Sequence, residues 1–119
     1  MNWYMTKIVF RIVCGEGFHT PQFDEQIRLL QAKDGKEAFE KAKAIGERCQ
    51  DMFLNQNKEM VQWQFINIAE LNKLSALIDG AELCSSIHEA DHAASYIALV
   101  HEKADGIRLA ISTHTAEAI

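Results

Sequence analysis

Residues 3–13 constrain the fold more than any other stretch of this 119-residue chain. Tyr4, Ile8, Phe10 and Ile12 hold even positions and make one apolar face. The odd positions mix Lys7 and Arg11 with Trp3, Met5 and Val9. Successive strand side chains point to opposite faces. The pattern therefore predicts a strand with one fully buried face and one partly covered face. Gly15 and Gly17 break it, since glycine accepts the positive φ of a tight turn.

The rest of the chain repeats one theme. Phe23, Ile27 and Leu29 alternate with Asp24, Gln26 and Arg28, a second strand. Asp34 followed by Glu37 is a capping-box-like helix start. Ala38, Ala42, Ile45, Cys49 and Met52 then recur at helical spacing, which predicts a helix ending near Asn55. Val61, Trp63 and Phe65 alternate in a third strand, and Ile66 and Ile68 shift the apolar set to the other parity. Such a shift predicts a bulge or a strand covered on both faces. Ala81, Leu83, Ser85 and Ile87 read as a fourth strand. Asp91 then caps a second helix that stops at Gly106. The expected fold is α+β, in the order ββαββα. About four antiparallel strands carry two helices on one face. Residues 3–107 form one domain, and 108–119 a tail that is disordered or used in an oligomer.

Composition excludes several classes. The chain is 48% hydrophobic and 24% charged with one Pro and six Gly, which argues against disorder. A net charge of −5 argues against a nucleic-acid binder, which needs a basic face. Cys14, Cys49 and Cys84 are odd in number and isolated, as in a reducing cytoplasm. Residues 1–7 do not open a secretory leader. No run approaches the ~18 apolar residues of a membrane span.

Few motifs carry chemistry. His88-Glu89-Ala90-Asp91-His92 matches the zinc-peptidase pattern H-E-x-x-H. That pattern needs both histidines on one helical face. Here it straddles a strand end and a helix cap, so no metal is expected, and His88 and His92 stand as the residues that would hold one. His19, Asp24 and Glu25 make the densest polar stretch and suit acid–base or ligand-binding work. Alternation sends Asp24 and Glu25 to opposite faces, however, so they cannot act as a close carboxylate pair. A loop-rigidifying role for His19 stands beside the functional one. No nucleophile and no phosphate-binding glycine loop is supported, and no cofactor is expected.

Several segments together resemble a known family. They are Trp3-Tyr4, the strand from Lys7 to Ile12, His19-Thr20-Pro21-Gln22-Phe23-Asp24-Glu25-Gln26-Ile27-Arg28-Leu29, Glu37-Ala38-Phe39-Glu40-Lys41-Ala42, Val61-Gln62-Trp63-Gln64-Phe65-Ile66-Asn67 and Asp79-Gly80-Ala81-Glu82-Leu83. The chain is similar over residues 3–100 to short bacterial proteins opening with Trp-Tyr, a domain of unknown function. The resemblance implies a small stand-alone bacterial domain and supplies no reaction or cofactor.

The charge is unevenly placed. Residues 1–60 hold nine basic and nine acidic side chains, and residues 61–119 hold three and eight. Between Lys73 and Lys103 stand Asp79, Glu82, Glu89, Asp91 and Glu102 with no Lys or Arg. An acidic surface speeds capture of a basic partner. Trp3, Met5, Val9 and Val13 on the second face of the first strand call for cover, which a homodimer supplies. The expectation is a non-enzymatic binding or protein-interaction domain, immunity- or antitoxin-like. Its candidate contacts are His19, Asp24, Glu25, Glu82, Glu89 and Asp91. The alternative is a small enzyme or ligand-binding domain using the His19 loop.

Overall fold

The computed structural model describes residues 1–113. Its elements are β1 (Asn2–Cys14), β2 (Gln22–Ala32), α1 (Gly35–Arg48), β3 (Asp51–Leu54), β4 (Met60–Lys73) and α2 (Ala93–Thr113). The protein is α+β, with a four-stranded antiparallel sheet ordered β2-β1-β4-β3. The chain divides into two compact units, Met1–Ser85 and a second from Ser86 onward. This division falls inside the domain expected over residues 3–107. The sheet and α1 lie in the first unit and α2 in the second.

β1 runs between β2 and β4, and its even residues form the core. Tyr4, Thr6, Ile8 and Phe10 are buried, the last three completely. Across the ladder from Tyr4 stands Leu30, and Ala32 stands across from Asn2. Helix α1 covers this face with Ala38, Ala42 and the partly buried Ile45. Its start is fixed as the sequence suggests: the Glu37 N–H donates to Asp34 Oδ1 at 2.9 Å, and the Lys33 N–H donates to Glu37 Oε1 at 3.1 Å. Among the described residues Thr6 is the one buried polar side chain, and its hydroxyl donates to Glu70 O at 3.0 Å. That bond satisfies a group whose burial would otherwise be costly.

The parity change in β4 has two causes. Phe10 pairs with Phe65 but Val9 with Asn67, so Ile66 is an extra residue. Ile8 pairs with Ile68 but Lys7 with Glu70, so Ala69 is another. Each is a one-residue bulge. Together they keep Val61, Trp63, Phe65, Ile68 and Leu71 opposite even residues of β1.

Three expectations are corrected. Helix α1 ends at Arg48 with Cys49 as its cap, and Asp51–Leu54 is a strand. A polar hairpin turn follows it, where Asn55 Oδ1 accepts from the Asn57 and Glu59 N–H groups. The apolar spacing of Met52 fits a helix and a hairpin strand equally, and the short loop decides for the hairpin. Residues 81–87 form no strand, and Ile87 is 96% exposed. β3 pairs with β4 along Met60 to Trp63, and among the described residues Gln64 to Lys73 pair with β1 alone. Helix α2 starts after Asp91, with the Tyr96 N–H on His92 O, and passes through Gly106 to Thr113. Nothing lies within 4 Å of a Cβ built at Gly106, and a lone helical glycine costs only about 1 kcal/mol. Among its described residues α2 has none buried. The end of the expected tail, 114–119, lies outside the described residues.

Gly46 faces Phe65 where α1 packs on β4. A Cβ there would overlap the Phe65 ring, which meets Phe10 edge-on with centroids 6.1 Å apart. Gly46→Ala should therefore destabilise the fold by about 1–3 kcal/mol through overpacking, despite alanine's better helix propensity. Gly106→Ala, with open space around it, should stabilise α2 by up to about 1 kcal/mol. Chemical denaturation of the two variants checks the opposite signs.

Candidate functional site

The β1–β2 loop is built around His19. Gly15 and Gly17 adopt φ values of 57° and 83°, and the Gly17 N–H donates to Cys14 O at 3.0 Å. His19 Nε2 accepts from the Cys14 N–H at 3.0 Å, and Nδ1 lies 2.9 Å from Thr20 O. A carbonyl only accepts, so these contacts assign the neutral tautomer with its proton on Nδ1. Both ring nitrogens are thereby spent on backbone atoms. The loop borders an open cleft of about 810 Å³, lined in part by Cys14, Glu16, Phe18, His19 and Glu59.

Asp24 lies elsewhere, on the helix-facing side of the sheet. Its Oδ2 accepts from Trp63 Nε1 at 3.1 Å and from Gln26 Nε2 at 2.7 Å. Gln26 Oε1 in turn accepts from Arg28 Nε and Nη2 at 3.2 and 2.8 Å, and Arg28 Nη2 reaches Cys49 Sγ at 3.8 Å. The indole of Trp63 stacks on Phe53 with ring centroids 6.0 Å apart. Gln26, Arg28, Cys49, Asp51, Phe53 and Trp63 line a cavity of about 320 Å³ at the end of α1. The alternation along β2 shows that Asp24, Gln26 and Arg28 share a face. That Trp63 and Cys49 complete the chain depends on strand register and helix end, which the sequence alone does not display.

Glu25 faces the side opposite α1, as alternation requires. Lys7 Nζ lies 3.5 Å from Glu25 Oε1 and 2.8 Å from Glu70 Oε2. The hydrogen bond to Glu70 is the main cause that raises the Lys7 pKa above its ordinary value of 10.5. Desolvation opposes it, and the charges of Glu70 and Glu25 add to it. Phe23, Ile27 and Leu29 share this face and are 55%, 60% and 49% exposed. Met5, also on this face, is buried within the chain itself.

The remaining candidates are dispersed. Glu82, Glu89 and Asp91 are exposed on residues 81–92, which have no regular structure. His88 Nε2 lies 3.1 Å from Ser86 Oγ, and His92 precedes α2, so the H-E-x-x-H letters are not on a helix. Among the described residues no three His, Cys, Asp or Glu side chains are placed to hold a metal ion. No described helix is long and apolar enough to cross a membrane. His19, Asp24 and Glu25 thus occupy three separate surroundings, and the structure does not bring them together.

A family model described as Domain of unknown function (DUF4288) matches residues 3–85. Its end coincides with the boundary of the first compact unit at Ser85. No curated protein and no solved structure matches the chain.

Two outcomes follow from the geometry. His19→Ala removes both loop bonds, at about 0.5–1.5 kcal/mol each. Hydrogen exchange at the Cys14 amide should accelerate while the amides of α1 keep their protection. Lys7 carries a raised pKa, so its contribution is whole below the ordinary value and is lost as pH rises through the folded one. Lys7→Met should therefore melt below wild type at neutral pH, and the gap should close in strong alkali.

Proposed function

Because the chain belongs to the DUF4288 family, domains of unknown function, its role has to be argued from its own geometry. We propose that it is a non-enzymatic protein-interaction domain of the bacterial cytoplasm, acting as a homodimer and capturing a basic protein in the manner of an immunity or antitoxin-like inhibitor. One observation carries this reading: Phe23, Ile27 and Leu29 stand exposed in a row on the sheet face opposite α1. Exposed apolar side chains grouped on one face mark interaction surfaces more than scattered ones do. Glu25 and Glu70 beside them are balanced by Lys7 and Arg11 on the same face, so the charge that favours a basic partner lies farther along the chain. Glu82, Glu89 and Asp91, in a stretch without Lys or Arg, supply that acidic character.

A second reading, small-ligand binding at the His19 loop, is favoured by the open cleft beside it. Acid–base work by His19 would first have to release one of the two backbone atoms it holds.

The interaction reading is tested by capture from host cells with wild type and Val9→Lys. Val9 lies on the sheet face opposite α1, paired with Glu25 on one side and Asn67 on the other. Wild type should retain a basic protein at low salt and release it at high salt, because exposed charge contacts are screened. The variant should retain much less. Retention of nothing at low salt, or equal retention by both proteins, would sink the reading.

A further inference from the structure

β2 is an edge strand, since among the described residues it pairs on one side only, with β1. Natural proteins blunt such edges with shortness, proline, bulges or charge. The other edge, β3, is four residues long. β2 is eleven residues long, contains no Pro or Gly, and follows β1 without a register shift. Its charges are the remaining guard.

The direction of its free backbone groups can be read from two contacts. Lys41 Nζ donates to Gln31 O at 2.9 Å, so that carbonyl is turned away from the ladder. Gln31 pairs with Trp3, whose carbonyl accepts from the Leu74 N–H rather than from β2. Antiparallel pairs alternately exchange both bonds or turn both groups outward. The odd residues Phe23, Glu25, Ile27 and Leu29 therefore present their N–H and C=O groups along the free edge.

We propose that this edge pairs antiparallel with the same edge of a second copy, with Gln26 facing Gln26 on the two-fold axis. The register follows from the side chains. It sets Asp24 against Arg28, Phe23 against Leu29 and Glu25 against Ile27, each twice. Centring on Glu25 would oppose two carboxylates, and centring on Asp24 or Arg28 would oppose like charges. Centring on Ile27 would leave Asp24 against Leu30 and Arg28 against Gln26, with no carboxylate–guanidinium pair. In the chosen register the outward backbone groups from Phe23 to Leu29 all meet partners. Asp24 and Arg28 then occupy a pair without mutual backbone bonds, where side chains stand closest. The hydrogen bonds of Asp24 fall on Oδ2, which leaves Oδ1 for the arriving guanidinium. An isologous contact of this kind closes at two copies.

This names the interface for the self-association part of the function proposed above and rests on that part. Loss of basic-partner capture by itself would leave it standing. The test uses the full chain. Light scattering coupled to size exclusion should show a dimer. Gln26→Cys, oxidised and digested, should give a disulfide joining position 26 of one copy to position 26 of the other, identified by mass spectrometry. Arg28→Asp sets carboxylate against carboxylate and should raise the dimer Kd about tenfold or more. A monomer at every concentration overturns the proposal. So does a dimer that forms no 26-to-26 disulfide, or one that a folded Arg28→Asp protein forms equally well. Should Arg28→Asp fail to fold, the disulfide alone decides.

Discussion

The arrangement of the first unit depends on how near α1 comes to β4. Gly46 lets the helix rest on the Phe65 ring, and Phe65 meets Phe10 in the completely buried middle of β1. The close seat also fixes what comes after the helix. Gln50 Oε1 accepts from the Phe65 N–H at 3.1 Å, next to the bulge at Ile66. The chain then enters β3 at Asp51, opposite Trp63. Cys49 is left beside Arg28, at the end of the polar chain that starts from Trp63 and Asp24. A helix held one methyl group farther out would disturb each of these contacts, because interiors packed to crystal density do not yield locally.

The two faces of the sheet divide polarity unevenly. On β1 the even residues Tyr4, Ile8 and Phe10 are apolar and buried, whereas on β2 the even residues Asp24, Gln26 and Arg28 are polar. They form a connected hydrogen-bond chain, which is how a partly buried polar group avoids a desolvation penalty. Phe23, Ile27 and Leu29 point to the face opposite α1, while Leu30 and Ala32 at the end of β2 join the core. That inversion between neighbouring strands is why the exposed row of Phe23, Ile27 and Leu29 exists at all.

The legible parts of the fold were those set by local rules. Alternation along residues 3–13 gave β1 its faces, and Asp34 with Glu37 gave α1 its start. The parity change at Ile66 announced the first bulge. The second, at Ala69, is silent, because alanine is compatible with either face. β3 was hidden because Met52 continues the helical spacing of Ile45 and Cys49. The expected strand at 81–87 does not form although, among the described residues, the edges of β2 and of β4 beyond Trp63 are unpaired, so alternation by itself does not dock a strand. The candidate site shows the same divide. The opposite facing of Asp24 and Glu25 was a local inference, and Lys7 and Trp63 as their partners follow from cross-strand register. The capture of both His19 nitrogens depends on how Gly15 and Gly17 fold the loop back.

The bulges give β4 slack in length. The strand holds two residues, Ile66 and Ala69, that its ladder with β1 skips. Deleting Ile66 would straighten the strand locally while every remaining pair stayed in place, with Phe65 and Ile68 still toward the helix. Deleting a residue from β1 has no such reserve and would turn every side chain beyond it to the wrong face. Length variation in this sheet is therefore tolerable at two addresses in β4 and nowhere in β1, a tolerance that belongs to the ladder rather than to any side chain.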